Sequence, residues 1–196
     1  MMIIGITGGI ASGKSTVSNY LIRCGYSVVD ADQVARQVVA PGTDGLKKIV
    51  QAFGPKILTD DGRLNRQKLG RVVFNSPDQL QILNKILQPL IRQKIIRQLT
   101  ALQRADHQLI FLDAPLLFEQ HYDALCDLVM VVVTSPAIQL KRLMKRNQLT
   151  VEQAEARIKS QMPLATKEAL ADMVIDNDST IARTEQQVQQ WLDNVQ

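Results

Sequence analysis

The 196-residue sequence predicts an α/β fold: a doubly wound parallel sheet with helices on both faces and a helical insertion between its second and third strands. Short, continuously apolar runs alternate with longer amphipathic segments, as strands covered on both faces require. A glycine-rich turn joins the first run to the first helical pattern. About eighty residues separate the second run from the third, more than one crossover helix needs.

The strand runs are Ile3 to Thr7, Val28 to Asp30, Leu109 to Asp113, Leu128 to Val133 and Met173 to Asp176. Helical patterns cover Ser15 to Arg23, Gln33 to Val39, Pro136 to Lys145, Val151 to Ser160 and Ile181 to Val195. In such a sheet ligands gather at the carboxyl ends of the strands. Aspartates stand there: Asp30 with Asp32, Asp113, and Asp176 with Asp178.

Within the insertion, Leu80, Leu83, Leu87, Leu90 and Ile91 recur at helical spacing after Pro77, and Pro89 is expected to kink or divide the helix. From Arg63 to Arg104 nine basic residues face one acid, Asp78. A solvated helix face and a surface that receives an anionic substrate both explain that bias.

Hydrophobic residues make up 45% of the chain and aromatics 4%, so an aliphatic core is expected and stacking platforms for single-stranded nucleic acid are hard to build. The net charge of +4 suits a nucleic-acid binder or an enzyme of polyanionic substrates. Cys24 and Cys126 lie far apart without a C-x-x-C or histidine cluster, which argues against a metal site or disulfide framework; both are expected as buried thiols. Neither a secretory pattern nor an apolar run of membrane-spanning length is visible. A cytoplasmic protein without membrane or nucleic-acid partners is expected, and nothing in the sequence speaks to oligomeric state.

Gly8 to Ser15 reads G-x-x-x-x-G-K-S, after a strand and before a helix. Glycines let the backbone curl until several N–H groups point at one polyphosphate. The lysine at position 14 reaches the β- and γ-phosphates, Ser15 offers a hydroxyl to Mg²⁺, and the helix directs its positive dipole end at the anion.

Phosphoryl transfer needs positioning, charge neutralisation and a carboxylate for the attacking hydroxyl's proton. Asp32 is the candidate, although aspartates before a helix also serve as N-caps, so one of the Asp30 and Asp32 pair can cap while the other catalyses. Leu109 to Asp113 has the form of a Walker B strand, which brings Asp113 to the magnesium or its waters. Lys141, Arg142, Lys145, Arg146 and Arg157 populate two helices that look like a lid, with Arg142 and Arg157 the preferred pair; solvated helix charges remain the alternative.

In combination these motifs resemble the dephospho-CoA kinase family. The likeness rests on Thr7 to Thr16, Asp30-Ala31-Asp32 with Ala35-Arg36, Asp60-Asp61-Gly62-Arg63-Leu64 with Arg66, Asp113 to Glu119, Gln139 to Arg142, Arg157 with Gln161, and Val174 to Asn177. It implies a three-layer P-loop kinase sandwich with a five-stranded parallel sheet, a helical insertion subdomain and a helical lid. The core would span about 1–45 and 105–196, the CoA-binding insertion about 46–104 and the lid about 137–162. It also implies ATP-dependent, magnesium-requiring phosphorylation of the ribose 3′-hydroxyl of dephospho-CoA. By likeness, Asp32 is base or orienter, and Lys14 and Arg142 stabilise the transferring group. Gly9, Ile10, Ala11, Ser12, Gly13, Lys14, Ser15, Thr16, Arg157 and Asn177 would hold ATP. Thr7, Asp32, Arg36, Arg66, Arg92, Pro115 and Leu116 would meet the acceptor, and Ser15 and Asp113 the metal.

One departure is Gln88, where the family usually carries histidine. Glutamine hydrogen-bonds but does not titrate near neutral pH, which argues against acid–base work there. A GTP switch would need N-K-x-D and D-x-x-G. The chain has Asn84-Lys85-Ile86-Leu87, and Ala114-Pro115-Leu116 after Asp113. A nucleoside monophosphate kinase should lack the long basic insertion.

Overall fold

The structure, a computed structural model, describes residues 1–195 with the Phe74 side chain excepted. The final residue of the expected 105–196 core segment therefore lies outside the described residues. The strands are β1 (Met2–Gly8), β2 (Ser27–Asp30), β3 (Leu109–Asp113), β4 (Leu128–Val133) and β5 (Met173–Asp176). The helices are α1 (Lys14–Arg23), α2 (Ala31–Gln37), α3 (Asp44–Phe53), α4 (Arg66–Phe74), α5 (Pro77–Arg104), α6 (Pro136–Asn147), α7 (Val151–Lys159), α8 (Leu164–Ala169) and α9 (Ile181–Val195). Each strand covers the apolar run that predicts it.

Two compact units form, one from Met1–Val29 with the chain from Ala101 onward, the other Asp30–Thr100. The second unit starts earlier than the insertion expected from residue 46, because α2 and α3 belong with it. Gly45 at the start of α3 lies so near the end of α2 that a Cβ would sit 2.1 Å from the Val38 carbonyl oxygen. Its buried side chains include Val34, Leu46, Ile49, Ile57, Leu69 and Val73.

In the first unit the sheet order is β2-β3-β1-β4-β5. Strand β1 runs parallel to β3 and β4, and β4 parallel to β5. Ile6 stands opposite Asp113, Gly8 opposite Val132, and Val133 opposite Asp176. That register brings the glycine loop, Asp113 and the end of β5 to one rim. One sheet face carries Ile4, Ile6, Phe111, Met130 and Ile175, met by Val17 and Leu21 of α1 and Val188 and Leu192 of α9, each helical pair one turn apart. Phe111 is seated edge-on between Tyr26 and Trp191, at centroid distances of 5.6 and 6.4 Å.

Two sequence expectations change. Pro89 does not divide α5, which runs unbroken through it. Pro89 is exposed, so the carbonyl its missing N–H leaves behind can turn to water, and Ile91, Ile95 and Leu99 stay buried. Cys24 is exposed where the sequence reading expects burial, since it caps the C-terminus of α1 just before the Gly25 turn. Cys126 is half-buried, and burial, reinforced by Asp123 and Asp127, pushes its thiol up to about 12.

Candidate active site

Strand β1 ends at Gly8 and α1 begins at Lys14, so the turn between them must reverse within a few residues. Gly13 takes a left-handed φ of 93°, and a Cβ there would lie 1.7 Å from Asn177 Nδ2. Both backbone and neighbour therefore demand glycine. Asn177, buried just past β5, donates from that amide to the Ser12 carbonyl at 2.7 Å and accepts from Thr184 at 2.8 Å. Ile10, at the loop's other shoulder, is held twice: its N–H donates to Gln161 Oε1 at 2.8 Å, and its carbonyl accepts from Gln139 Nε2 at 2.9 Å. The N–H groups of Gly13, Lys14 and Ser15 have no acceptor among the described residues. Such bare first-turn donors, at the positive end of a helix, form a nest for an anion.

Lys14 pairs with Asp113, whose second oxygen accepts from Ser18 Oγ one turn further along α1. Asp113 is buried on the sheet rim and Ser15 presents its side chain to solvent. Among the described residues no group of three or more His, Cys, Asp and Glu side chains could cage a metal. One hydroxyl and one nearby carboxylate suit a hard cation that takes most of its oxygens from phosphates and water, as Mg²⁺ does.

Arg142, on α6, reaches the same loop. Its Nη1 lies 3.7 Å from the point a Cβ on Gly13 would occupy, is buried, and finds no hydrogen-bond partner among the described residues. A buried guanidinium donor without an acceptor is costly unless an anion completes it. Asp178 is held below the ordinary carboxylate range, first by the Thr134 hydroxyl and then by the Ser135 N–H, each at 2.6 Å, with the Arg142 charge contributing last.

Other expected residues have different surroundings. Thr7 is fully buried and donates to the Pro115 carbonyl at 3.2 Å, tying β1 to the loop after β3 instead of presenting surface to an acceptor. Leu116 beside it is exposed and Pro115 half-buried. Asn177 spends its amide on the loop, so it shapes the nest. Arg157 is exposed on α7, and its side chain forms no hydrogen bond or ion pair among the described residues. In the second unit, Asp30 caps α2, accepting from the Gln33 N–H at 3.0 Å, while Asp32 stands exposed in the first turn. Arg36 and Arg66 are exposed and Arg92 half-buried.

Sequence reasoning missed Lys167 on α8. Its side chain is fully buried, donates to the Pro115 carbonyl at 2.7 Å and pairs with Glu119 at 2.9 Å. Glu119 Oε1 also accepts from the Met162 N–H at 3.1 Å. Lysine ordinarily reads as surface, so no residue-type signal marks it. The glutamines at 139 and 161 belong to the family likeness, but only geometry reveals them as loop holders.

An anion nest with its lysine, backed by a parallel sheet of this strand order, places the chain among the P-loop phosphotransferases. The family model described as dephospho-CoA kinase matches residues 2–183. A dephospho-CoA kinase of Enterococcus faecalis is 47% identical over 191 residues, covering 97% of this chain and 96% of the relative. Its counterpart in Listeria monocytogenes is 46% identical over 190 residues, 97% of this chain and 95% of that one. The solved dephospho-CoA kinase from Campylobacter jejuni superposes with a TM-score of 0.77 at 31% identity, over 98% of this chain and 96% of that chain. The chain belongs to the dephospho-CoA kinase family, whose members phosphorylate dephospho-CoA with ATP in coenzyme A biosynthesis.

Proposed function

We propose that this chain transfers the γ-phosphoryl group of ATP to the ribose 3′-hydroxyl of dephospho-CoA, releasing coenzyme A and ADP in the last step of CoA synthesis. The observation that carries the reading is the family match over nearly the whole chain. The bare N–H groups around Lys14 and the unpartnered Arg142 donor supply matching chemistry.

In this reading the loop N–H groups cradle the phosphates, and Lys14 exchanges Asp113 for the β- and γ-phosphates. The exchange frees a carboxylate oxygen of Asp113. With the Ser15 hydroxyl, that oxygen would hold Mg²⁺, directly or through its waters, and the ion would neutralise charge on the bridging oxygen. Arg142 meets the transferring group from α6, and Arg157 meets the nucleotide from α7. The 3′-oxygen bonds to the γ-phosphorus as the bond from that phosphorus to the β–γ bridging oxygen breaks. The hydroxyl proton passes to Asp32, and ADP leaves with the bridging oxygen. Arg36, Arg66 and Arg92 offer cations to the acceptor's phosphates, and Leu116 with Pro115 an apolar edge. In this reading the reaction takes place in the cytoplasm. No helix among the described residues is long and apolar enough to cross a membrane.

Coupled ADP release measured across dephospho-CoA, AMP, CMP and UMP, with and without chelator, tests the reading. Magnesium-dependent turnover with dephospho-CoA is expected. Turnover with a monophosphate alone would overturn it.

A further inference from the structure

The fully buried Lys167 has no part in the phosphate nest, yet keeping an ammonium out of water is expensive unless every partner is in place. A methionine of similar length would fill the same space without that requirement. The side chains around it close a circuit. Starting from the phosphate loop, Ile10 N–H donates to Gln161. The next residue, Met162, donates to Glu119, which pairs with Lys167. The ammonium also donates to the Pro115 carbonyl, two residues beyond Asp113, and Asp113 returns to the phosphate loop through Lys14. Thr7 of β1 donates to that same carbonyl, so the segment after β3 is fixed from two sides.

We propose that Lys167 and Glu119 form a positioning pair that holds the Gln161 end of the α7–α8 segment on the phosphate loop, and so sets how firmly nucleotide is retained. The inference rests on the proposed nucleotide role of the loop, but not on the identity of the acceptor. Neither side chain is a catalytic residue. Each acts through others: Glu119 through the Met162 N–H, Lys167 through the Pro115 carbonyl. An uncharged pair can preserve the fold yet loosen the circuit, because glutamine at 119 still accepts from Met162 while methionine at 167 gives Pro115 nothing.

The test uses the full-length protein and a fluorescent ADP analogue, so its readout is independent of any acceptor. Lys167→Met alone leaves the half-buried Glu119 carboxylate without its cation and risks misfolding. The Lys167→Met/Glu119→Gln double variant removes both charges and is therefore the one to measure, with thermal denaturation as the check on folding. Gln161→Ala cuts the circuit at its other end. The folded double variant and Gln161→Ala should each speed release of the analogue about tenfold, and combining all three should add little, since one coupled circuit is being cut. Unchanged release in the folded double variant, or full additivity with Gln161→Ala, would overturn the proposal. Failure of the acceptor assay alone would count against dephospho-CoA as substrate and leave this result standing.

Discussion

Asn177 Nδ2 donates to the carbonyl of Ser12 at 2.7 Å, and the space it occupies is the space a Cβ on Gly13 would need. A residue from the last strand's exit thus determines the shape of a loop at the first strand's exit. Asn177→Ala leaves the Ser12 carbonyl without its side-chain donor and the Thr184 hydroxyl with only its longer contacts to the Asp176 and Thr180 carbonyls. It should lower stability by about 1–3 kcal/mol and weaken ATP binding, measured by thermal denaturation and by titration with a fluorescent nucleotide.

Gly13→Ala should be more damaging than the loss of Asn177. The new methyl meets the amide, and the backbone must keep a φ of 93° that costs alanine about 1–2 kcal/mol. Nucleotide titration should show binding lost, and the Gly13→Ala/Asn177→Ala double variant should recover only part of it, because removing the amide cures the clash but not the strained backbone.

Asp30 at the end of β2 caps α2, and in the proposed reaction Asp32, in the first turn of that helix, takes the hydroxyl proton. Asp30→Ala removes a cap and should lower stability by about 1 kcal/mol with kcat little changed. Asp32→Asn should leave stability and the KM for ATP near wild type while kcat falls about 10²–10⁴-fold, the range of a general base. Denaturation and steady-state kinetics on the pair separate the roles.

Asp178 gives the acid limb of the stability profile a defined sign. Its folded carboxyl lies below the ordinary 3.8 because Thr134 and Ser135 donate to the charged form. The stabilisation is complete above 3.8 and is lost as pH falls below that value through the lowered folded pKa. Asp178→Asn should flatten this limb in melts recorded from neutral pH downward.

The sheet is legible in the sequence because a strand buried on both faces must be apolar along its length, as Leu109 to Leu112 and Leu128 to Val133 are. The loop is legible because its glycines, lysine and serine have few substitutes. The cap at Asp30 is one of two candidates in the sequence, and only the Gln33 N–H distinguishes it from Asp32. What composition hides are residues used against type. Lys167 is a charged side chain in the interior, Pro89 a proline on the solvent face of a continuous helix, and Cys24 a cysteine at the surface. In each, tertiary surroundings outweigh residue preference. The early boundary at Asp30 is hidden likewise, since it depends on how α3 meets α2.

The contrast between the two cysteines gives experimenters a handle. Cys126, with its thiol near 12, holds almost no thiolate at neutral pH, whereas Cys24 stands exposed at the end of α1. A maleimide dye should therefore attach at Cys24 in the unmodified protein, and one further cysteine engineered into α7 would complete a donor–acceptor pair for watching that helix in single molecules.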